Sequence, residues 1–338
     1  MEQVSPTTPS FEPNDVVGQI DFSQPISILL RTSTVRAHDA VQNSDSAAKL
    51  LRGELPRDEY IYFMMLLWKV YSLIEDGLEK YSTNPVLAPT YRPALLGRAS
   101  RLSADIAYLM DTSEDGWHSS PLYLSLVSDP PTGLRDYVEH LERLNASENE
   151  TDHARLLSHA YVRYMGDLSG GQSIRNKMVK AYGLPDTGAG ASFFDFGSLD
   201  GSSVNGEKRA SQADLLRIKE WYRAGMNEGV GEDHSLKVVL TEEANIAFEL
   251  NRGLFQDVSI AAEPATASDY VSESKVVFDA SAYPGAEEKT YPVSSVVAVV
   301  MALALAHFVL VVGGFTGARG TEKLEGVMLW LRSAAGKE

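Results

Sequence analysis

Apolar residues recur every three or four positions through most of the chain from Ile26 to Val258, which is the spacing of amphipathic helices. After Pro56 the run YFMMLLWKVY is apolar on nearly every face, so the helix that contains it is expected in the middle of a bundle. No stretch of useful length before residue 260 alternates apolar and polar residues at the period of a strand. The pattern therefore predicts an all-α domain of several packed helices.

Helix start and stop signals divide this domain further. Helices are expected from about residue 26, from Pro56, around residues 134–144, and over residues 93–110, 150–182, 211–228 and 235–258. Loops are expected over residues 111–120, around residues 130–131 and over residues 183–206, where a cluster of phenylalanines would hold the loop against the core. One face of the first helix carries five residues at three- and four-residue steps, namely Ile28, Arg31, Val35, His38 and Gln42.

The two ends of the chain differ from the domain in composition. Residues 1–24 are polar and contain several prolines, which predicts a disordered lead-in to the helical domain at residues 25–260. Residues 261–292 are rich in Ala, Ser, Glu, Pro and Asp and predict a flexible linker. Residues 293–315 carry no formal charge and are long enough for a transmembrane helix, because about 20 apolar residues cross a bilayer. The pattern predicts a tail anchor with a short tail at residues 316–338 and the helical domain facing the cytosol.

Charge and cysteine content exclude several classes of function. The 338-residue chain has a formal net charge of −16 and a sequence pI of about 4.9, which argues against a nucleic-acid-binding surface. It contains no cysteine, so disulfides, thiolate catalysis and cysteine-ligated zinc or iron–sulfur centres are excluded. Any metal chemistry must therefore rest on His, Asp and Glu.

The segment of residues 159–182 departs most from the composition of a stable helix. Gly166, Asp167, Gly170 and Gly171 fall within six residues of an otherwise amphipathic pattern. Each glycine in a helix interior costs roughly 1 kcal/mol relative to alanine, so the three together cost about 3 kcal/mol. Two explanations stay open at this point. Either two helices pack backbone to backbone here, or a broad, flat ligand lies on the bare strip and the glycines also supply a kink.

The segment YVRYMGDLSGGQ, residues 161–172, resembles the glycine motif of the heme oxygenases. Four other segments resemble the same family, in the same order and at comparable spacing: LLRTSTVRAHDA around His38, ELPRDEYIYFMMLLWKVYSLIEDGLEKY, NPVLAPTYRP and IKEWYRAGMN. The resemblance extends over residues 26–258. It implies a single heme-oxygenase-type helix bundle in which heme lies between a proximal helix and a kinked distal helix.

By this resemblance His38 would be the axial ligand of the heme iron. Taken alone, a single histidine on a helix face is more often a core or surface residue. A neutral imidazole on one helix and a strip without side chains on another would, however, leave an open sixth position at the iron for O₂. His153 and His159 are the competing histidines, and a structural or solvent-facing role is expected for both.

The resemblance assigns the glycines and their neighbouring acid to the distal side of the heme. Gly166, Gly170 and Gly171 would bring bare backbone against the heme and direct oxidation to one porphyrin edge. Asp167 would hold the water that supplies a proton for ring opening. Taken singly, the remaining residues could be surface charges or core aromatics. The resemblance assigns them three roles. A distal hydrogen-bond network would consist of Tyr71, Tyr161 and Arg163, and the heme propionates would bind the cations Arg31, Lys219 and Arg223. Phe248 and Phe255 would form walls of the pocket.

The activity that the resemblance implies is the oxidative cleavage of heme at its α-meso carbon to biliverdin, ferrous iron and CO, with O₂ as co-substrate. Electrons would come from NADPH through a diflavin cytochrome reductase in the same membrane, and biliverdin reductase is a further candidate partner. The endoplasmic reticulum membrane is the expected location, with the mitochondrial outer membrane as the alternative. A heme sensor or heme buffer that turns over poorly is the alternative function, but binding alone requires neither Asp167 nor the three glycines.

Two features depart from the family pattern. Gln42 stands where animal members commonly place a glutamate, one turn after the proximal histidine, so the hydrogen bonding around His38 is expected to differ. The region from Ser198 to Arg209 is longer than the animal pattern. This insertion would change the approach of a reductase and leave the pocket unchanged.

Overall fold

A computed structural model describes residues 20–201 and 209–262, all within the compact unit Met1–Ala267. These residues form helices, turns and loops, and no strand occurs among them, as the apolar pattern predicts. No helix in this part of the chain has an apolar run long enough to cross a membrane. The predicted span at residues 293–315, the tail after it, nearly all of the linker and most of the lead-in lie outside the described residues.

Thirteen α-helices follow one another in the described part of the chain. Short 3-10 turns at Ala88–Thr90 and Ser192–Phe194 lie in the connections. The α-helices are α1 (Ile26–Ser33), α2 (Val35–Gln42), α3 (Asp45–Arg52), α4 (Arg57–Lys80), α5 (Pro93–Leu96), α6 (Ala99–Leu109), α7 (Glu114–Trp117), α8 (Pro121–Ser128), α9 (Thr132–Ala146), α10 (Glu150–Ser169), α11 (Gly171–Tyr182), α12 (Gln212–Val230) and α13 (His234–Ala262).

Helix α4 is the centre of the bundle. Met64, Met65, Leu66 and Val70 are all fully buried, and α4 packs against α6, α9, α10 and α13. A helix that is apolar on every face needs neighbours on every side. The predicted central position of this helix is therefore confirmed.

The structure divides the first predicted helix at Thr34, whose φ and ψ are −101° and 7°. The Thr34 hydroxyl donates a 2.6 Å hydrogen bond to the carbonyl of Leu30, and a bond of this kind back to the preceding turn bends helices. Leu30 is buried in the core, whereas Ile28 and Val35 are 37% and 52% exposed. The face that carries His38 therefore points away from the protein core.

The predicted helix over residues 93–110 also forms two helices, α5 and α6. Glu75 of α4 causes the break, because its carboxylate accepts hydrogen bonds from the backbone N–H groups of Arg98 (2.5 Å) and Ala99 (3.2 Å). A carboxylate in this position satisfies donors that the first turn of a helix leaves free. The signal lies 23 residues earlier in the sequence, so local patterns did not reveal it.

The predicted helix over residues 150–182 divides into α10 and α11 at Gly170. The backbone of Gly170 stays in the helical region, with φ −86° and ψ −27°, and its N–H donates to the carbonyl of Gly166 at 2.8 Å. The break is therefore a kink between two helices and not a loop. Its position at the glycines agrees with the kink that the sequence predicts.

The loop after α11 is fixed to the body of the domain by buried polar contacts. The carboxylate of Asp105 on α6 accepts from the backbone N–H groups of Ser192 (3.0 Å) and Phe193 (2.7 Å). The fully buried guanidinium of Arg98 donates to four backbone carbonyls, those of Leu95, Leu96, Phe193 and Asp195. The three phenylalanines predicted to hold this loop are buried, which confirms the prediction: Phe193, Phe194 and Phe196.

Candidate active site

The helices that carry the predicted proximal and distal residues both pack against α13. His38 lies on α2 and Gly166 on α10. The His38 side chain is 57% exposed. Its Nδ1 is 3.4 Å from Asp39 Oδ1, and its ring meets Phe248 of α13 edge-on at a centroid distance of 6.0 Å. The ring forms no other hydrogen bond within residues 20–201 and 209–262, so Nε2 is available to a ligand.

Gln42, the departure from the family pattern near His38, lies one turn further along α2 and is exposed. It forms no hydrogen bond with His38 in the described part of the chain. Asp39 is instead the residue that contacts the imidazole, at Nδ1. The hydrogen-bonding neighbour of the His38 ring is therefore the carboxylate of Asp39 and not the side chain of Gln42.

Open space lies in front of two of the three glycines. A Cβ atom added at Gly166 would meet nothing within 4 Å, and one added at Gly170 would meet only the Gly166 carbonyl oxygen at 3.6 Å. Among residues 20–201 and 209–262, no helix packs backbone to backbone on this strip, which argues against that explanation for Gly166 and Gly170. Gly171 differs, because its Cβ would meet the Phe194 ring at 3.1 Å. The expectation that Gly171 offers bare backbone to the same ligand as Gly166 and Gly170 is therefore wrong, because the next residue of a helix turns by about 100° to another side.

Replacing Gly166 by alanine is expected to stabilise the heme-free protein while weakening its function. The added methyl group removes a helix-interior glycine without a clash, which should raise the free energy of unfolding by about 0.5–1 kcal/mol. The same methyl group would occupy the space proposed for heme. Denaturant unfolding and hemin titration measure the two effects.

Gly133→Ala is the matched control for that substitution. Its Cβ would clash with the backbone of Gly253 where α9 crosses α13, so it should destabilise the fold without touching the strip. A Gly166→Ala protein that is less stable, or one that binds hemin as tightly as the parent, would contradict the assignment of this open space.

Asp167 directly follows Gly166 on α10 and is 6% exposed. The Tyr71 hydroxyl donates to its Oδ2, and Arg163 Nη2 lies 3.7 Å from its Oδ1. Arg163 Nε also donates to the Tyr71 oxygen at 3.2 Å. Asp167, Tyr71 and Arg163 thus form a closed triangle between α4 and α10, as expected for Tyr71 and Arg163.

Burial raises the pKa values of both Asp167 and Tyr71. Burial raises the pKa of Asp167 above its ordinary value, and the charge of Arg163 and the hydrogen bond from Tyr71 offset only part of this. Burial likewise raises the pKa of Tyr71 well above its ordinary value. Tyr71 therefore keeps its proton and acts as a donor to Asp167. A carboxyl group with raised pKa beside an open site is suited to hold water and exchange a proton with it.

Two of the three cations that the resemblance assigns to heme propionates, Arg31 and Arg223, lie near Tyr161. Burial raises the pKa of Tyr161, and the nearby charges of Arg223 and Arg31 work against this rise. Lys219 precedes Arg223 by four residues on α12 and so shares its face. None of the three forms an ion pair with another described residue, although the chain as a whole is acidic. Tyr161, expected in the network of Asp167, forms no hydrogen bond with that network and lies among the cations.

The two predicted pocket walls occupy different places. Phe248 is half-buried beside the His38 ring. Phe255 stacks on Phe63 of α4, with ring centroids 4.8 Å apart and an interplanar angle of 30°. Phe248 is therefore the aromatic residue next to the proximal imidazole, whereas Phe255 packs against the core.

The competing histidines have structural contacts. His153 stacks on Tyr81 with ring centroids 3.6 Å apart, and its Nε2 contacts the Ser147 carbonyl at 2.8 Å. His159 is completely buried, so the solvent-facing alternative is wrong for it. Its two ring nitrogens contact Tyr137 and Glu243. Both ring nitrogens of His159 are therefore engaged, and His153 is held by its stacking on Tyr81 and its contact with the Ser147 carbonyl.

Sequence reasoning missed the residues that extend the distal triangle. Arg163 Nη1 donates to Asn251 Oδ1 at 2.8 Å, and Asn251 Nδ2 donates to the Tyr137 hydroxyl at 3.3 Å. Asn251 is 88 residues from Arg163 in the sequence. No local spacing links them, and only the packing of α9, α10 and α13 brings them together.

The exposed ring of His38 and the open Gly166–Gly170 strip, together called the cleft below, suit a flat, dianionic ligand with a metal at its centre. His38 offers an imidazole nitrogen, the Gly166–Gly170 strip offers a surface without side chains, and unpaired cations lie near Tyr161. Heme has the corresponding parts, namely an iron, a planar ring and two propionates. The residues present therefore fit heme.

The comparisons with known proteins agree with this geometry. The sequence profile described as heme oxygenase matches residues 24–257. Heme oxygenase 1 of Rattus norvegicus is 32% identical over 241 residues, covering 71% of this chain and 74% of the relative, and heme oxygenase 1 of Homo sapiens is 30% identical over 235 residues, covering 70% and 72%.

Solved structures give the same result. Heme oxygenase-2 from Synechocystis sp. PCC 6803, in complex with heme and NO, matches with a TM-score of 0.57 and 28% identity, covering 70% of this chain and 86% of that one. The heme oxygenase of Leptospira interrogans matches with a TM-score of 0.56 and 27% identity, covering 69% and 100%. The chain belongs to the heme oxygenase family.

Proposed function

We propose that this protein cleaves heme at the α-meso carbon to biliverdin, ferrous iron and CO, using O₂ and electrons from a reductase. One observation supports the proposal above all. A buried carboxyl group, Asp167, is held by Tyr71 and Arg163 beside the side-chain-free strip of α10. Helix α10 and helix α2, which carries His38, both pack against α13. Heme binding alone requires no such acid, whereas oxidation of the ring requires a proton source.

Each part of the cleft has a separate task in this proposal. The bound heme supplies the iron that binds O₂ and the ring carbon that is oxidised. His38 Nε2 holds the heme from the proximal side, and the Gly166–Gly170 backbone excludes side chains from the distal side. Asp167 holds a water molecule and exchanges its proton, while Tyr71 and Arg163 fix the carboxylate. The cations near Tyr161 orient the ring through its propionates.

The proposed electron source is NADPH, acting through a diflavin cytochrome reductase, and biliverdin reductase is a proposed consumer of the product. Neither partner leaves a feature among the described residues that identifies it. The longer region from Ser198 to Arg209, of which residues 202–208 lie outside the described residues, is where we expect the encounter with a reductase to differ from that of animal relatives.

The test uses the full-length chain in detergent, loaded with hemin and supplied with O₂. Addition of NADPH and a diflavin reductase, or of ascorbate as an independent reductant, should remove the Soret band and produce the spectrum of biliverdin with release of CO. A Soret band that persists under both reductants would overturn the proposal. It would leave a heme sensor or heme buffer as the function.

Removal of one propionate-binding cation is expected to weaken heme binding. Arg223→Gln should raise the hemin dissociation constant by roughly 3- to 10-fold, because a half-exposed charge pair contributes about 0.5–1.5 kcal/mol. Arg217→Gln is the matched control, since Arg217 is on the same helix, is 69% exposed and already pairs with Asp214. Equal affinities of the two variants in a hemin titration would contradict the role of Arg223.

We also propose that residues 293–315 anchor the protein in the endoplasmic reticulum membrane with the helical domain in the cytosol. Their uncharged apolar composition and their length support this. Deletion of residues 293–338 should release the protein from alkali-washed membranes. A full-length chain that is itself released by the wash would contradict the anchor, and imaging of the tagged chain distinguishes this membrane from the mitochondrial outer membrane.

A further inference from the structure

Exposed apolar side chains cluster on one short helix. Helix α8 carries three of the eight large apolar side chains that are exposed in the described part of the chain, and the other five lie one each on five different helices. Single exposed apolar residues are normal on a protein surface, whereas a cluster marks a contact with something else. The cluster consists of Leu122 (40% exposed), Leu124 (55%) and Val127 (60%), and we call it the α8 face.

Helix α8 itself contains no charged residue. Its sequence is PLYLSLVS, so two serines and a tyrosine are its only polar members. Leu124 and Val127 are three residues apart and therefore share one side of the helix. Charges begin just outside the helix, at the exposed acids Asp115 and Asp129. The α8 face is therefore apolar and has acids before and after it in the chain.

The inner side of α8 fixes the helix to the domain. Leu126 is buried, and the Tyr123 ring meets the buried Trp117 ring edge-on at a centroid distance of 4.8 Å. Trp117 Nε1 in turn donates to the Ser103 hydroxyl of α6 at 3.1 Å. The Ser120 hydroxyl caps α8 by accepting from the backbone N–H of Tyr123 at 3.2 Å. The α8 face therefore belongs to a firmly packed helix and not to a loose segment.

The α8 face lies near the end of the described chain. Asp257 of α13 accepts from the backbone N–H groups of Gly133 (3.0 Å) and Leu134 (2.7 Å), at the start of α9. The segment from Ser128 to Gly133 spans at most about 17 Å, and the helix from Asp257 to Ala262 rises by roughly 8 Å. The end of α8 is therefore within about 30 Å of the last described residue.

A bilayer that holds the proposed anchor is within reach of this helix. Residues 263–292, for which the composition predicts a flexible linker, separate Ala262 from the apolar span at residues 293–315. A flexible chain of this length has an average end-to-end distance of about 30 Å. The tether would therefore keep lipid at a high effective concentration around the α8 face.

The size and charge of the α8 face suit lipid better than a protein surface. A stable interface between two proteins needs about 20–30 residues on each side, many more than this face offers. A second copy of the chain would also bring Asp115 and Asp129 towards the same acids of its partner, because a twofold interface pairs identical surfaces. A bilayer requires no complementary shape, since apolar side chains of a surface helix enter the boundary between headgroups and acyl chains. The acids favour zwitterionic over anionic lipid.

We propose that the α8 face docks on a bilayer of zwitterionic phospholipid, with Leu122, Leu124 and Val127 in the boundary between headgroups and acyl chains. The docking holds the helical domain against the membrane in one orientation. It rests on the anchor proposed for residues 293–315, because three side chains alone bind a bilayer too weakly to hold the domain there. It is independent of the proposed heme cleavage.

Single cysteines can report the position of the α8 face, because the parent chain contains no cysteine. Full-length Leu124→Cys and Val127→Cys chains, each carrying a small fluorophore on the new thiol, are reconstituted without heme into phosphatidylcholine vesicles. Two quenchers are compared: acrylamide reaches the fluorophore from water, and brominated acyl chains reach it from lipid. Leu216→Cys is the matched control, since Leu216 is 51% exposed on α12 and the residues one turn further along, Lys219 and Glu220, are charged.

Brominated lipid should lower the fluorescence at positions 124 and 127 by roughly twofold and leave that at position 216 unchanged, while acrylamide should quench position 216 the most. Acrylamide quenching at position 124 as strong as at position 216 would overturn the proposal, since the face is then open to water. Protection from both quenchers would also overturn it and would show that a second copy or another segment of the chain covers the face. Equal lipid quenching at all three positions would contradict docking through α8.

A charged substitution tests whether the face, and not the fluorophore, enters the lipid. In a Leu122→Cys chain that carries the fluorophore, Leu124→Glu should abolish quenching by brominated lipid, whereas Leu216→Glu should leave it unchanged. Both replaced leucines are more than half exposed, so each variant should unfold at the same denaturant concentration as the parent. Lipid quenching that persists in the Leu124→Glu chain would overturn the proposal.

An alkali wash of the same vesicles separates this proposal from that of the anchor. A full-length chain that the wash releases contradicts the anchor, and the docking fails with it because nothing then holds the domain at the bilayer. A chain that resists the wash, but whose fluorophore at position 124 is open to water, keeps the anchor and contradicts the docking alone. Neither result bears on the cleavage of heme.

Discussion

Replacing Asp167 by alanine is expected to abolish ring opening while leaving heme bound. Asp167 lies on α10 and the proposed iron ligand His38 on α2, with different hydrogen-bond partners, so the Soret band of the hemin complex should form as in the parent. Without the carboxyl group, water beside the Gly166–Gly170 strip loses its acceptor and its proton source. Removal of a general acid or base typically costs about 10²- to 10⁴-fold in rate, which should appear in the rate of biliverdin release.

The matched comparison uses Asp167→Asn and Asp136→Asn. The first keeps the shape of the buried side chain and its contact with Tyr71 but cannot exchange a proton, so it should be nearly as slow as the alanine variant. The second removes a 56%-exposed carboxyl group on α9 and should behave like the parent. An Asp167→Asn protein with the turnover rate of the parent would show that this acid has no part in the reaction.

Replacing His38 by alanine is expected to remove the iron ligand without harming the fold. The side chain is 57% exposed, and Asp39 is its only hydrogen-bonding neighbour among the described residues, so the heme-free variant should unfold at the same denaturant concentration as the parent. The hemin dissociation constant should rise by roughly 10- to 100-fold, equivalent to about 1.4–2.7 kcal/mol. Added imidazole should restore the parent spectrum, because it can occupy the vacated position.

His234→Ala is the control for the proximal histidine. His234 is also exposed and contacts an aromatic ring, that of Phe22, at the start of α13. Its replacement should leave the hemin spectrum unchanged. If the two variants bind hemin equally well and with the spectrum of the parent, then His38 is not the ligand and the cleft is wrongly assigned.

The features that the sequence predicted well are those set by local spacing. The all-apolar run of α4 indicated a central helix, and the burial of Met64 and Leu66 confirms it. The glycines indicated a kink, and the chain bends at Gly170. The open space at Gly166 then decided between the two explanations of the bare backbone, since no other helix in the described part of the chain approaches it. Spacing alone left that question open.

The features that the sequence did not predict depend on contacts between distant segments. The break before α6 is made by Glu75, and the distal triangle is extended by Asn251, each from another helix. Gly171 belongs to the same motif as Gly166 but faces Phe194, because helix geometry places it on a different side. A motif thus identifies a set of residues, whereas the packing of helices determines which of them face the ligand.

The loss of helix stability at the glycines also has a physical explanation. A methyl group at Gly166 is compatible with the protein fold and would favour the helix, yet the position is bare. The same backbone is the surface that must approach a planar ring closely. Glycine at position 166 therefore lowers the stability of the helix by about 1 kcal/mol and leaves its backbone accessible to the ring.

The isomer composition of the biliverdin released by the full-length chain in a single turnover is the most direct test of this account. The bare strip at Gly166 and Gly170 and the fixed carboxylate of Asp167 predict a single product, the α-isomer, with one CO released per heme. Chromatography of the pigment and quantification of CO give the answer. A mixture of meso-isomers, or heme recovered intact, would contradict the account.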